Sequence, residues 1–440
     1  MDAKNYPVAV IGAGPVGLAA AAHVLARGLT PVVLEAGSSA GASIMKWGHV
    51  RIFSPWFYNV DAEARLLLQA EGWQEPDAEA YPTGREFVEN YLKPLSETSA
   101  LKPCIRYDSK VTAVTKFGKD VMKNQGRNDV PFLVRVQTQD GYEYDLLAQA
   151  VIDASGTFEK PNPMGSHGIP VAGEQQETQH IAYGIPDVAG KERDQYAGQR
   201  VLVVGSGHSA FNVLQDLVRL KQKASDTLIY WAIRKTSIDQ VFGGGEHDKL
   251  QERGRLGSSI RKLVEEGAIT LMTGVSIERL ERTKDGLVLH SNRDKLLPVD
   301  KIIVTTGFRP DLQIISEIRL SLDPGTQSPT ALATLIDPNL HSCGTVKPHG
   351  AEELKHPDEN FYIVGMKSYG RAPTFLLLTG YEQVRSVTFA IAGDWEAARR
   401  VELVLPETGV CSTRPGTSAS LSEKVSCGSS THDQPKVCCG

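Results

Sequence analysis

Two glycine-rich segments, each preceded by a run of apolar residues, constrain the fold of this chain more than any other feature. The first is Gly12-Ala13-Gly14-Pro15-Val16-Gly17, and the second is Gly205-Ser206-Gly207-His208-Ser209-Ala210. Each pattern predicts a buried strand that runs into a tight turn and then into a helix. The first glycine permits the turn, the second lets the backbone approach a pyrophosphate, and the third small residue allows close helix–strand packing. We therefore expect two Rossmann-like units, each holding a dinucleotide at a helix N-terminus.

Charged residues at the ends of the next apolar runs indicate which dinucleotide each unit binds. Glu35 ends the run after the first segment, where a carboxylate accepts hydrogen bonds from ribose hydroxyls and repels a 2′-phosphate. Arg234 and Lys235 stand in the equivalent place after the second segment, where cations suit the 2′-phosphate of NADPH. We expect FAD in the first unit and NADPH in the second. The alternative is that the two cations belong to an ordinary solvated loop.

The remaining segments predict an α/β protein whose first domain is discontinuous. Short strands and helices continue the first unit to Pro163, and an apolar strand near Phe361 returns to it before a helix that ends near Ala392. We expect an FAD-binding domain from residues 1–163 and 301–405, with an NADPH-binding domain from residues 164–300 between them. Residues 406–440 are rich in serine, threonine and glycine, which predicts a disordered, cysteine-containing tail.

Composition and charge narrow the class of protein. The chain has 440 residues and a net charge of −5, so no basic field would draw it to nucleic acid or to an anionic membrane. No apolar run reaches the roughly 18 residues of a membrane span. An apolar strand already starts at Val8, so we expect no signal peptide and a cytoplasmic location. A small-molecule substrate is the expected partner, and whether the chain forms a homodimer is left open.

Further motifs accompany the two fingerprints in a characteristic order. Asp153-Ala154-Ser155-Gly156 precedes the second fingerprint, and Thr305-Thr306-Gly307 and Tyr362-Ile363-Val364-Gly365 follow it. Over residues 7–395 this order resembles that of the flavoproteins with two dinucleotide-binding domains, which implies FAD and NADPH as cofactors. Residues 154–162 and 47–56 resemble the flavin-containing monooxygenase branch of that superfamily, in which the second of these segments lines the flavin ring.

The fingerprints and the resemblance together imply a set of cofactor-binding residues. Met366 stands where the reductases of the superfamily carry an aspartate, so the backbone amides of Gly365 and Met366 would make the contact there. Arg51 lies in the segment implied to line the flavin ring and is a candidate catalytic residue. The cofactor-binding set is Gly12, Gly14, Gly17, Glu35, Val111, Ala154, Ser155, Gly156, Gly205, Ser206, Gly207, His208, Ser209, Arg234, Lys235, Thr306, Gly307, Gly365 and Met366.

The positions of the six cysteines argue against the dithiol chemistry of the reductases. The resemblance would place a CxxxxC pair in residues 41–48 or a CxxC pair in residues 164–300, and neither stretch contains a cysteine. We therefore expect O2 to be the electron acceptor and the enzyme to be a monooxygenase that inserts one oxygen atom into a soft nucleophile. Sulfur, nitrogen and trivalent arsenic all offer the lone pair that this reaction needs.

A vicinal thiol pair, Cys438-Cys439, lies in the tail. Two neighbouring thiolates chelate soft ions such as Hg(II) and As(III). The pair resembles the terminal cysteines of mercuric reductase, which implies that it delivers an ion to the flavin site. With residues 368–374 it also resembles the flavoprotein monooxygenases of arsenic-resistance operons, which implies a trivalent arsenical substrate and counts Cys438 and Cys439 among the candidate catalytic residues. Three alternatives stay open: an inert tail, an NADPH-dependent thiol or metalloid reductase that uses the pair, and a non-enzymatic metalloid-binding flavoprotein.

One more group of metal-ligating residue types precedes the final strand motif. It consists of His341, Cys343, His349 and His356. Their spacing matches no standard zinc motif, because the partner cysteines are missing, so we predict no metal site. Cys343 is a candidate thiol on the substrate side, and the alternative is a polar loop punctuated by prolines.

Overall fold

The protein is described by a computed structural model that covers residues 5–238, 241, 251–292, 295–339, 348–372 and 376–403. The strands are β1 (Val8–Ile11), β2 (Pro31–Leu34), β3 (Ile105–Arg106), β4 (Ser109–Lys116), β5 (Phe132–Thr138), β6 (Glu143–Ala148), β7 (Ala150–Asp153), β8 (Ile181–Tyr183), β9 (Arg200–Val204), β10 (Leu228–Ala232), β11 (Thr270–Met272), β12 (Ile277–Thr283), β13 (Gly286–Ser291), β14 (Lys301–Val304) and β15 (Phe361–Ile363). The helices are α1 (Pro15–Ala26), α2 (Ala42–Met45), α3 (Ala62–Ala70), α4 (Gly84–Phe87), α5 (Lys93–Glu97), α6 (Arg193–Tyr196), α7 (His208–Lys223), α8 (Gln251–Glu265), α9 (Thr330–Ile336), α10 (Ala351–Leu354), α11 (Leu377–Ile391) and α12 (Trp395–Arg399).

The first sheet has five parallel strands in the order β15-β7-β1-β2-β3. Its centre is β1, which pairs with β2 on one side and β7 on the other, so that Val8 lies opposite both Pro31 and Ala150. All four residues of β1 are buried, because layers cover both faces of the sheet. Parallel strands of this kind end at one common edge, where the fingerprint turn and the turn after β7 meet.

Different layers cover the two faces of the first sheet. Val8 and Val10 face a core that includes residues of α1, α3 and α11. Ala9 and Ile11 face the opposite way, into a core shared with the antiparallel sheet β4-β5-β6. This alternation follows from the two-residue period of a strand. The short strands that the sequence predicts between residues 110 and 147 therefore form a separate layer over the first sheet.

The second sheet repeats the architecture of the first, with parallel strands in the order β11-β10-β9-β14-β8. Val201 and Val203 face a core with α7 and α8, whereas Leu202 and Val204 face a core with the hairpin β12-β13. The predicted fold class, α/β with two Rossmann-like units, is confirmed. No helix within the described part of the chain is both long and apolar enough to cross a membrane.

One boundary predicted from the sequence needs correction. The sequence assigned residues from 301 onwards to the first unit, but β14 pairs in parallel with β9 and with β8 of the second sheet. The apolar run at Lys301–Val304 carries no signal for the sheet to which it belongs, since either sheet would bury it. We propose that the chain returns to the first unit only after Gly307. The predicted disordered tail, residues 406–440, lies outside the described residues.

Candidate dinucleotide-binding sites

The first fingerprint forms the expected turn between β1 and α1. Gly12 has a φ of +99°, and a Cβ atom there would lie 2.9 Å from the carbonyl oxygen of Ala154. A Cβ atom on Gly17 would overlap the carbonyl oxygen of Gly12. Gly14 differs, since a Cβ atom there would meet nothing within 4 Å, and no side chain caps the helix that begins beside it. The open space and the uncapped helix N-terminus form a cradle that fits a pyrophosphate.

The carboxylate of Glu35 lies directly against this turn. Its Oε2 accepts a hydrogen bond of 2.6 Å from the Ala13 amide, and its Oε1 accepts one of 2.7 Å from the Gly37 amide. Burial raises the pKa of Glu35, while these two amides act in the opposite direction. The side chain is therefore held beside the fingerprint, where a ribose would meet it.

The turn after β7 supplies the next part of the same edge. The Ala154 amide donates to the Ile11 carbonyl, which holds this turn beside the fingerprint. Ser155 donates twice to Asp153 Oδ1, from its Oγ at 2.6 Å and from its amide at 3.1 Å. Gly156 has a φ of +71° and open space on its Cβ side. The structure thus brings Gly12, Gly14, Gly17, Glu35, Ala154, Ser155 and Gly156 together at the carboxyl edge of the first sheet.

The turn after β15 completes this edge, with one difference from expectation. Gly365 has a φ of +68°, which glycine adopts without strain. Its amide donates a 2.7 Å hydrogen bond to Gln383 Oε1 of α11, so this amide is already engaged within the protein. The predicted contact between the Gly365 amide and a flavin needs correction for this reason. Met366 is half-buried beside it.

Two residues at this edge were missed by the sequence reasoning. Lys367 is fully buried, with its Nζ 2.7 Å from Asp153 Oδ2 and 3.0 Å from Ser155 Oγ. Gln383 is also buried, and its Nε2 contacts Ser368 Oγ at 2.9 Å. The one signal in the sequence for Lys367 is a charged residue directly after Met366, which stands at the position of the reductases' aspartate. Nothing in the local sequence distinguishes Gln383 from other polar residues of a helix.

The second fingerprint forms a turn of the same kind between β9 and α7. Gly205 has a φ of +130°, and a Cβ atom there would lie 2.6 Å from the Thr305 carbonyl oxygen. Gly207 is exposed, has nothing within 4 Å of a Cβ position, and precedes a helix without a side-chain cap. Ser206, His208 and Ser209 are half-buried around this turn. The geometry fits a second pyrophosphate at the N-terminus of α7.

Arg234 and Lys235 follow β10, the strand next to β9 in the second sheet. Arg234 is exposed, and it has no hydrogen-bond or ion-pair partner among the residues that the structure describes. Lys235 is half-buried, and its carbonyl accepts a hydrogen bond of 2.8 Å from the Gly274 amide. A guanidinium at this place is available to a 2′-phosphate.

Thr306 and Gly307 lie where the chain crosses between the two sheets. Thr306 Oγ1 donates to the carbonyl of Asn162 at 2.8 Å, and the Asn162 amide donates to the Gly307 carbonyl at 2.9 Å. The rings of Phe158 and Phe308 stack beside them, with centroids 5.3 Å apart. The two residues therefore join the two crossing segments to each other.

Val111 and Arg51 lie in different surroundings from the residues at the turns. The Val111 side chain belongs to the core between the first sheet and the antiparallel sheet. Arg51 is exposed, and its guanidinium donates to the carbonyl of Tyr81. Its neighbour Phe53 reaches the second unit, where its ring centroid lies 5.1 Å from that of His208. The segment implied to line the flavin ring thus contacts the second fingerprint.

His349 and His356, the two histidines of this group that the structure describes, make separate contacts within the protein. His349 Nε2 lies 2.8 Å from Gln383 Nε2, and His356 Nδ1 accepts a hydrogen bond of 3.2 Å from the Ser321 amide. No group of three or more metal-ligating side chains occurs in the described ranges. His341, Cys343, Cys438 and Cys439 lie outside those ranges.

Comparison with known proteins identifies the family. Residues 9–331 match the family model of the pyridine nucleotide-disulphide oxidoreductases. The chain belongs to this family. Its curated relatives include a ferredoxin–NADP reductase of Thermus thermophilus, 24% identical over 79% of this chain and 86% of the relative. They also include flavin-containing monooxygenase 1 of Mus musculus, 24% identical over 78% of this chain and 70% of the relative.

Solved structures of oxidoreductases share the fold. A bacillithiol disulfide reductase of Bacillus cereus has a TM-score of 0.65 and 19% identity, covering 88% of this chain and 99% of that one. A flavin-containing monooxygenase of Stenotrophomonas maltophilia has a TM-score of 0.57 and 20% identity, and the match covers 89% of this chain and 99% of that one. Membership of the pyridine nucleotide-disulphide oxidoreductases confirms that the chain is an enzyme and an oxidoreductase, as predicted. The non-enzymatic alternative is thereby disfavoured.

Proposed function

We propose that this oxidoreductase is an FAD- and NADPH-dependent flavin monooxygenase that inserts one oxygen atom from O2 into a soft nucleophile. The observation that carries the proposal is the pair of open, uncapped helix N-termini at Gly14 and Gly207. A carboxylate, Glu35, lies against the first, and an exposed arginine, Arg234, follows the strand next to the one that leads into the second. Opposite charges at equivalent places favour two different dinucleotides, and flavin chemistry driven by a nicotinamide needs both.

The first site suits FAD. The cradle at Gly14 would receive the pyrophosphate, Glu35 would accept from the ribose, and the turn at Ser155 and Gly156 would line the bound cofactor. FAD supplies the chemistry that no side chain provides, namely acceptance of a hydride and activation of O2. The role of the chain is to bind the cofactor, orient it and limit the access of water.

The second site suits NADPH. The N-terminus of α7 would receive the pyrophosphate, and Arg234 would pair with the 2′-phosphate. The contact between Phe53 and His208 brings a segment of the first unit against the second fingerprint, and such proximity would favour transfer of a hydride between the two ligands.

Cysteine placement favours O2 over a disulfide as acceptor. No cysteine occurs between Cys104 and Cys343, or before Cys104. Cys104 Sγ is 3.6 Å from the Ala100 carbonyl, and burial raises the pKa of this thiol, which disfavours the reactive thiolate. The balanced reaction consumes NADPH, a proton, O2 and the substrate, and it yields NADP⁺, water and the oxygenated substrate.

A trivalent arsenical is the soft nucleophile that we propose as substrate. Arsenic(III) carries the required lone pair, and the vicinal thiols Cys438 and Cys439 suit its capture. The same thiol pair favours one second candidate, an NADPH-dependent reductase in which the pair exchanges electrons with the flavin.

The test follows NADPH oxidation in air by the FAD-loaded protein, with and without methylarsenite, and identifies the arsenic species formed. We expect NADPH consumption coupled to pentavalent arsenic, with turnover at saturating methylarsenite retained in the Cys438→Ser/Cys439→Ser variant. Loss of turnover in that variant would favour the reductase. NADPH consumption with no oxidised arsenic would rule out the arsenical substrate, and assays with sulfur and nitrogen nucleophiles would follow.

A further inference from the structure

We propose that Lys367 is a positioning residue for the proposed FAD site, because its ammonium clamps the Ala154–Gly156 turn to the end of β15. The inference rests on the proposed function only in naming FAD as the ligand. The clamp consists of Lys367, Asp153 and Ser155, and it joins residues 214 positions apart along the chain. Lys367 and Asp153 are buried, whereas Ser155 is exposed at the turn. We call these three residues the buried clamp after their buried ion pair.

The hydrogen bonds of the buried clamp are mutually consistent. A carboxylate only accepts, so Ser155 Oγ must donate its proton to Asp153 Oδ1 at 2.6 Å. The lone pairs of Ser155 Oγ are then free to accept from Lys367 Nζ at 3.0 Å, while Asp153 Oδ2 accepts from Lys367 Nζ at 2.7 Å. The direction of every bond is fixed by this arrangement, and the hydroxyl of Ser155 has one orientation.

Burial indicates that stability is not the main contribution of the buried clamp. The side chains of Lys367 and Asp153 both have 0% exposure, so both charges lose their hydration on folding. Such a pair is commonly no more stabilising than two apolar side chains of the same size, although removing one partner alone is costly. What an apolar pair could not do is orient Ser155.

The position of the buried clamp connects it to the dinucleotide cradle. Ser155 lies in the turn whose first residue, Ala154, donates from its amide to the Ile11 carbonyl. The Ala154 carbonyl in turn lies where a Cβ atom on Gly12 would contact it. On the other side, Gly365 is held by Gln383 only two residues before Lys367. The buried clamp therefore joins the turn after β7, which itself bonds to the end of β1, to the segment that follows β15.

A matched control lies at the opposite end of β15. Arg127 and Asp358 form an ion pair with 3% and 1% exposure and N–O distances of 2.6 and 2.7 Å. Asp358 precedes β15, whereas Lys367 follows it, so this pair lies away from the carboxyl edge of the sheet. Loss of the Arg127 pair should disturb folding without disturbing the cradle.

The experiment measures the dissociation constant for FAD and the melting temperature of each apo-protein. The variants are Ser155→Ala, Lys367→Met, the double variant Asp153→Leu/Lys367→Met, and the control Arg127→Met. We expect FAD affinity to fall about 10- to 100-fold in the first three, the size of a lost hydrogen bond to a charged group. The double variant should recover the melting temperature of the wild type but not its affinity, and Arg127→Met should lose melting temperature but keep affinity. The visible absorption band of bound FAD should shift in Ser155→Ala and not in Arg127→Met.

The outcomes separate the two proposals. Wild-type affinity for FAD in both the double variant and Ser155→Ala would overturn the positioning role and leave the proposed function intact. An equal loss of affinity in Arg127→Met would also overturn it, because the effect would then be one of general stability. Failure of the wild-type protein to bind FAD would overturn the proposed function and the positioning role together.

Discussion

At the scale of single residues, Arg234 should determine which nicotinamide dinucleotide is preferred. Arg234 is exposed just after β10, the strand that pairs with β9, and it has no hydrogen-bond or ion-pair partner within the described residues. In Arg234→Ala we expect kcat/KM for NADPH to fall about 10- to 100-fold, because a hydrogen-bonded charge pair is lost. The value for NADH should be unchanged. Arg282, which is exposed but paired with Glu177, offers a control whose substitution by alanine should change neither value.

Equal decreases of kcat/KM for NADPH and for NADH in Arg234→Ala would contradict the assignment of the 2′-phosphate site. Steady-state oxidation of the two dinucleotides in parallel is the measurement. Loss of both in Arg282→Ala as well would indicate a general effect of surface charge.

His356 should make the protein labile in mild acid. Burial lowers its pKa to about 4 from the ordinary 6.5, and its Nε2 is buried without a partner in the described part of the chain. In the unfolded chain His356 therefore binds a proton near pH 6.5, whereas in the folded protein it binds one only near pH 4. The contribution of neutral His356 to the unfolding free energy is fully present above pH 6.5 and is lost as the pH falls from 6.5 towards 4.

The expected size of the acid effect is about 2 kcal/mol of unfolding free energy between pH 7 and pH 4.5. In His356→Asn this part of the pH dependence should disappear, while the variant remains less stable than the wild type at pH 7. Urea denaturation at the two pH values measures it. An equal decrease of the unfolding free energy between the two pH values in the wild type and in His356→Asn would show that another group is responsible.

At the scale of elements, substitutions at different fingerprint glycines should have different effects, some on cofactor binding and others on stability. A Cβ atom on Gly14 or Gly207 meets open space, whereas a Cβ atom on Gly17 overlaps the Gly12 carbonyl. Gly14→Ala should therefore fold normally and bind FAD weakly, and Gly207→Ala should fold normally and bind NADPH weakly. Gly17→Ala should lose stability. Binding titrations and melting temperatures measure these effects, and each of the first two variants is the control for the other cofactor. Normal FAD binding by Gly14→Ala would place the pyrophosphate elsewhere.

Asp61, which precedes α3, should contribute more to the unfolding free energy than a helix-capping residue usually does. Asp61 Oδ1 accepts from the Ala64 amide at 3.0 Å, and its Oδ2 lies 3.0 Å from His23 Nε2. Burial alone would raise the pKa of Asp61, but the pairing with His23 prevails and the pKa is lowered. In Asp61→Ala we expect a loss of about 3 kcal/mol of unfolding free energy at pH 7.

Asp394 provides the comparison for Asp61. It caps α12 through a 2.9 Å bond from the Ala397 amide, and it is exposed. Asp394→Ala should cost about 1 kcal/mol. Similar losses in the two variants, measured by urea denaturation, would mean that the His23 pairing adds nothing to the cap.

At the scale of the whole molecule, the contact between Phe53 and His208 should govern transfer between the two sites. Phe53 belongs to the first unit but packs against the core of the second. In Phe53→Ala we expect reduction of bound FAD by NADPH to slow about 10- to 100-fold, because the two ligands are less well oriented. FAD affinity should be unchanged. Stopped-flow absorbance measures the rate, and Phe57→Ala, at an exposed neighbouring ring, is the control. An unaltered rate in Phe53→Ala would show that the contact does not orient the sites.

Much of the fold could be predicted from the sequence because it depends on local patterns. The apolar runs before Gly12 and Gly205 predict buried parallel strands. The two glycines predict tight turns, and in the structure a Cβ atom at either position would lie too close to a neighbouring carbonyl oxygen. The carboxylate of Glu35 accepts a hydrogen bond from the first turn, and Arg234 follows β10, the strand that pairs with β9. Assignment of β14 to a sheet could not be predicted, because its three apolar residues, Ile302, Ile303 and Val304, suit either core.

By itself, then, the sequence determined the class of fold, the two fingerprint turns and the charges beside them, since each depends on residues close together in the chain. Only the tertiary structure decided which side chains meet at the carboxyl edge of the first sheet. Lys367 meets Asp153 and Ser155 there, and Gln383 takes the Gly365 amide, because the strands β7 and β15 become neighbours only in the folded sheet. The physical reason is that the direction of a buried hydrogen bond depends on partners far apart in sequence, whereas a turn depends on the backbone freedom of its own residues.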